Sequence, residues 1–211
     1  HTRKTQDTFD FAKGLIQEKS AKKKRVGIDV LAQLVSSDKD NPLFTVYDDT
    51  VEALIDILKT DERPTILNAA AIGLSHLNDP KAIDSLCTHA NHSNSGVRYG
   101  VTLGLTGHNN TKAINTLIQL TEDPDDDVRD WATFGLGSQL ADKDGNPLDS
   151  KGIREALFKR VQDTNDNVRM EAFTGLAFRK DKRIVQPLYN ELIKTLVSGS
   201  LPGTSLLEAV T

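Results

Sequence analysis

His89 and His92 stand three residues apart, a spacing that puts two imidazoles on one helical turn and hence within reach of one metal ion. They lie in the loop-forming stretch THANHSNSG, and no third ligand accompanies them, so they read as two separate histidines. Asp142, Asp144 and Asn146 open like a calcium loop, but the glycine of the segment, Gly145, is out of place and no Glu closes the loop at its twelfth position. Cys87, the single cysteine, falls at an apolar position of a helical pattern, where a thiol packs rather than attacks. It has no intramolecular disulfide partner, a usage that fits a reducing, cytoplasmic setting. No glycine-rich loop that would cradle a phosphate is present. The expectation is a non-enzymatic protein with no catalytic residues, no metal and no cofactor.

Charge offers a second kind of chemistry. Residues 1–35 carry eight Lys or Arg against four acids, within a chain of net charge −4, so the remainder is acidic. The run Lys22, Lys23, Lys24, Arg25 reads either as a contact for an anionic partner or as a solvated helix end. An acidic body argues against wrapping nucleic acid, which needs a basic track along the binding groove. No apolar run of about 18 residues occurs, so no membrane span is expected.

The elements that position these residues follow from a phrase the chain repeats: VRYGVTLGL from Val97, VRDWATFGL from Val128 and VRMEAFTGL from Val168. Fainter copies begin at Ile66 and Val26. Its glycine recurs at Gly73, Gly104 and Gly135 in steps of 31, then at Gly175 after 40, the excess falling in the turn-forming run ADKDGNPLDS at 141–150. A second phrase keeps step: PKAIDSL from Pro80, TKAINTL from Thr111, GIREALF from Gly152 and KRIVQPL from Lys182. Both have helical period, since Val128, Trp131, Ala132, Gly135 and Leu136 fall at i, i+3, i+4, i+7 and i+8. Each unit is therefore two helices, and the architecture an all-α solenoid without a sheet. The acidic clusters DPDDD and DTNDN precede the second helices, where Asp and Asn cap free backbone N–H groups. A glycine inside a helix costs about 1 kcal/mol against alanine, and its recurrence points to close approach of a neighbouring helix.

The order of acidic turn, Val-Arg, small residue and Gly-Leu resembles HEAT repeats, in particular the short PBS-lyase-like subclass. The resemblance covers 48–195 well and 5–47 loosely. It implies a right-handed superhelix of about five to six helix pairs, with N-terminal capping helices over 1–47, repeats over 48–195 with an enlarged loop at 141–150, and the start of a further, truncated repeat over 196–211. The stretches GLTGH, DDDVRDWATFGLGS and TGLAFRKD are similar to a group of bacterial HEAT proteins usually unassigned in function, some of which are encoded beside polymorphic toxins and proposed as immunity proteins. The implied function is a scaffold holding a protein partner in its concave face. A lyase or chaperone handling a tetrapyrrole is the alternative, with nucleic-acid binding third. The His-Glu pairs by which a di-iron member of the family holds its metal are missing here.

If Val128, Ala132 and Leu136 face the core, the opposite side of the second helices forms a column poor in charge and rich in aromatic and sulfur side chains. The expected partner-binding residues are Tyr99, Leu103, Asp130, Trp131, Phe134, Met170 and Phe173, with His108 and Arg179 edging the groove. Thr102 and Thr133 fall in the same column. In a competing reading the twist of the stack tucks Leu103 and Phe134 into the core. Trp131 either plugs space created by the enlarged loop or serves as an aromatic anchor. Arg98, Arg129 and Arg169, each following the repeat valine, are expected to form a structural ladder with turn aspartates such as Asp127.

Overall fold

A computed structural model describes residues 2–34 and 45–198. The further repeat expected beyond Ser198 lies outside the described residues. The chain divides into two compact units, one up to Leu105 and one from Thr106. Among the described residues the regular structure is helical, and an isolated bridge pairs Ala141 with Pro147.

The first unit contains α1 (Thr2–Ile16), α2 (Ala21–Leu34), α3 (Tyr47–Thr60), α4 (Pro64–Leu77), α5 (Ile83–Cys87) and α6 (Ser95–Leu105). A 3₁₀ turn, Pro80–Ala82, leads into α5. Each odd helix packs on the even one that follows, while α2, α4 and α6 stack in a row of their own and α3 touches α5. The middle helix of that row explains the sequence of α4. Ile66, Leu67, Ala69, Ala70, Ala71, Gly73 and Leu74 are all buried, because a helix flanked on three sides must be apolar on most of its circumference. Pro64 opens it at a position where its missing N–H costs nothing, and Asn78 closes it in the left-handed region, donating its N–H to the Leu74 carbonyl.

The basic run sits in the first turns of α2 and is largely neutralised there. Lys23 pairs with Glu18, Arg25 with Asp29, and Lys24 with the buried Asp61 at 3.0 Å. Arg63 joins the Asp61 carboxylate, and the two cations hold that group well below the usual carboxylate range. The run is a structural tie between α2 and the α3–α4 turn.

The second unit contains α7 (Thr111–Leu120), α8 (Asp126–Phe134) continued by a wide π turn (Gly135–Gln139), α9 (Lys151–Arg160), α10 (Asp166–Phe178) and α11 (Val185–Ser198). Here α8 and α10 stack on each other, with α7 and α9 behind them. The helix starts are capped as their sequences imply. Asn110, Asp125, Ser150 and Asn165 each accept backbone N–H bonds from the first turn of α7, α8, α9 and α10. α7 shows the expected amphipathic split, with Ala113, Leu117 and Leu120 buried and Lys112, Asn115 and Gln119 exposed. At Gly137 and Gly175 the π turn and α10 come together backbone to backbone: a Cβ on Gly175 would stand 2.5 Å from the Gly137 Cα. That contact is the reason for the repeat glycine in α10.

The arginine after each repeat valine makes the same set of bonds twice. Arg129 donates to the Asp123 carbonyl at 2.8 Å and pairs with Asp126 at 2.6 Å; Arg169 donates to the Asp163 carbonyl at 2.9 Å and pairs with Asp166 at 2.7 Å. Each then reaches one helix pair onward, Arg129 to Asp163 and Arg169 to Glu191. The turn partner is therefore Asp126 and not Asp127, because the first residue of the helix lies three before the arginine and on its side.

Candidate functional site

The residues with catalytic or metal-binding spacing are occupied with structural work. The His89 ring Nε2 bonds the Leu58 carbonyl at 2.7 Å, and His92 Nδ1 accepts from the Asn94 N–H. Their ring centroids are 6.3 Å apart and tilted. Among the described residues no group of three or more His, Cys, Asp or Glu is placed to hold a metal. Asp142 spends one carboxylate oxygen on the N–H groups of Asp144 and Asn146, and these bonds hold it below the ordinary carboxylate range. It organises its own turn, which Gly145 completes at φ +81°.

Some positions of the expected column are open in the structure and others are buried. Measured from the repeat valine, positions +1, +4, +5, +7 and +8 of α8 are buried, while +2, +3 and +6 are not. Tyr99 and Leu103 of α6 are thus partly exposed in the first unit. In the second unit Asp130 and Phe134 of α8 and Met170 of α10 are partly exposed, and Trp131 is 36 % exposed. Leu103 and Phe134 are thus neither fully buried, as the competing reading has them, nor fully open.

Phe173 is a correction. It is 1 % exposed, because it sits at position +5, about 100° round the helix from the centre of the open face, as do the fully buried Thr102 and Thr133. Those two threonines satisfy their hydroxyls by donating to the Arg98 and Arg129 carbonyls.

The groove edge is a second correction. Arg179 is 5 % exposed, and its guanidinium donates to the carbonyls of Leu136 and Gly137 in the π turn, Leu148 in the loop and Gly175 in α10, at 2.7–3.0 Å. These are carbonyls that helix ends leave without partners, and one planar fork serves them all. Burial lowers the affinity of this guanidinium for its proton. His108, at the same repeat position, is also buried. Neither residue faces a groove.

What remains open on α8 and α10 has a defined chemistry. The Trp131 and Phe134 rings meet edge to face, with centroids 5.5 Å apart and planes at 87°. Trp131 leaves about a third of its area open to solvent. Beside it, one Asp130 oxygen is buried with no hydrogen-bond partner. Glu171, which occupies on α10 the repeat position of Trp131 on α8, is half-buried. No Lys, Arg or His among the described residues pairs with either carboxylate. Burial, and then the charge of Asp127, pushes Asp130 up; burial, and then the charge of Asp130, pushes Glu171 up. Three acids of this unit that are paired with cations behave oppositely. Asp163, Asp181 and Glu191 are each paired with arginine and are held down. Glu171 is invisible to a pattern search because its repeat position holds Gly100 and Trp131 in the neighbouring copies.

Comparison with known proteins bears on this arrangement. The family model for HEAT repeats matches residues 10–106, 51–137 and 114–194. Protein YibA of Escherichia coli strain K12 is 27% identical over 182 residues, which are 86% of this chain and 49% of YibA. The chain spans about half the length of the curated relatives it matches. The X-ray structure of YibA superposes with a TM-score of 0.76 at 25% identity, covering 97% of this chain and 69% of that one. A designed armadillo repeat protein in complex with the peptide (KR)4 superposes with a TM-score of 0.61 at 15% identity, over 97% of this chain and 99% of its own, a likeness of fold alone.

Proposed function

From the premise that this chain belongs to the HEAT-repeat family, we propose that it is a non-enzymatic scaffold holding a protein partner on the open face of its second helices, centred on α8 and α10. The observation that carries this reading is Trp131. A tryptophan 36 % exposed and braced edge-on by Phe134 is an aromatic anchor of the kind that dominates binding energy at protein interfaces. The sharper form is an immunity-type protein that occupies a toxin domain, in a cytoplasmic setting that the lone, half-buried Cys87 suits. Among the described residues no helix is long and apolar enough to cross a membrane. A tetrapyrrole-handling role loses support, since Arg179 and His108, the residues expected to edge the groove, are buried.

The test is affinity capture from the source cell with the wild-type chain and with Trp131→Ala and Phe134→Ala variants whose far-UV circular dichroism is unchanged. A partner retained by the wild type and lost by both folded variants is the expected result. Equal capture by all three would remove the open face of α8 from the account.

A further inference from the structure

Asp130 and Glu171 are an anomaly within their own unit. Three other carboxylates that are covered in this unit are paired with cations: Asp163 has Arg129 and Arg160, Asp181 has Arg154 and Arg183, and Glu191 has Arg169 and Lys194. A buried acid left alone costs stability, and an apolar residue in its place would be the better choice for folding. These two nevertheless stand on adjacent helices, close enough for the charge of one to act on the other, and one Asp130 oxygen has neither solvent nor a donor. On the same two helices Trp131 is exposed and Phe134 and Met170 are partly exposed.

We propose that this patch takes an arginine side chain from a basic segment of the protein partner, its guanidinium lying between the Asp130 and Glu171 carboxylates beside the exposed Trp131 ring. This rests on the scaffold reading above and names the chemistry of the partner. Charge complementarity selects a cation. Two carboxylates on two helices need a donor that forks, and the guanidinium offers five N–H groups in one plane. An indole beside them favours the same group, because arginine stacks on aromatic faces and sheds its water more readily than an ammonium. Two arginines of this unit already bridge two carboxylates in that manner: Arg129 joins Asp126 to Asp163, and Arg169 joins Asp166 to Glu191. The partner would repeat from outside what the ladder does within.

Short random peptides displayed on phage, selected on the immobilised full chain, provide the test, and the clones are then measured against three variants: Trp131→Ala, Phe134→Ala, and the double substitution Asp130→Asn with Glu171→Gln. The double variant keeps side-chain shape and removes two charges that the fold does not use, so it is expected to fold at least as well as the wild type. The result expected is enrichment of arginine-containing peptides that bind about tenfold or more weakly to both the aromatic and the double variants, and severalfold more weakly when their arginine is replaced by lysine. Peptides that depend on Trp131 and Phe134 but carry no required cation and ignore the double variant would overturn the arginine site while leaving the scaffold face standing. Peptides indifferent to all three variants, or no enrichment at all, would overturn both.

Discussion

Arg129 Nη2 lies 3.0 Å from the Asp163 carboxylate, and this bond joins the start of one second helix to the turn that caps the next. Asp163 is nearly buried and also takes Arg160, while its second oxygen receives the Asn165 N–H. The same carboxylate therefore shapes a turn and ties two repeats together, which makes the ladder the element that sets the spacing of α8 and α10 and with it the separation of Asp130 from Glu171.

Removal of that arginine is expected to be costly. Arg129→Ala leaves Asp163 with half its counter-charge and the Asp123 carbonyl without a donor, and should lower unfolding free energy by about 3 kcal/mol. Arg25→Ala, which breaks an exposed i, i+4 pair with Asp29, should cost less than about 0.5 kcal/mol. Urea denaturation followed at 222 nm measures both.

Glycine substitutions separate contact from mere helix composition. Gly175→Ala drives a methyl into the backbone of Gly137 and should destabilise by about 2 kcal/mol or more. Gly14→Ala, where a methyl meets nothing within 4 Å in α1, should stabilise by about 0.5–1 kcal/mol. Thermal melts of the two variants should move in opposite directions.

Core and surface aromatics should part in the same way. Phe173→Ala empties a fully buried site and is expected to cost about 3–5 kcal/mol. Trp131→Ala, partly exposed, should cost less than Phe173→Ala while losing partner binding. A Phe173→Ala variant that melts like the wild type would contradict the packing described.

The acids predict two opposed pH effects. Asp61, Asp163, Asp181 and Glu191 are held below their unfolded values by their cations, so they stabilise the fold above the unfolded carboxylate range, and that contribution is lost as pH falls through their folded values. Asp130 and Glu171 are raised, so their ionisation costs stability at neutral pH and the cost disappears as pH falls through their folded values. Asp130→Asn with Glu171→Gln should therefore raise the melting temperature at pH 7, with the gain shrinking toward zero on acidification to the ordinary carboxylate range. Calorimetry across that range reads the difference directly.

Much of the scaffold is legible in the chain because the repeated phrase fixes it several times over. Val-Arg marks the buried start of α6, α8 and α10, and the Asp and Asn clusters ahead of α8 and α10 supply their caps. Which face is open is less legible, since positions +5 and +6 differ by one residue yet place Phe173 in the core and Phe134 at the surface. A large apolar residue at either position gives the same linear pattern. The role of Arg179 depends on carbonyls from residues 31 to 43 positions away, released by a π turn that no local residue announces. Glu171 acquires meaning only when α10 lies against α8 and brings it near Asp130.

The central claim, that the open face of α8 and α10 carries a protein partner, is tested most directly by a photo-crosslinking amino acid placed at position 131 and, in a separate chain, at the exposed Lys159 of α9. Irradiation in the source cell should give a discrete, higher-mass adduct from position 131 and none from position 159. An adduct from 159 alone, or none from 131 in a folded chain, would contradict the account.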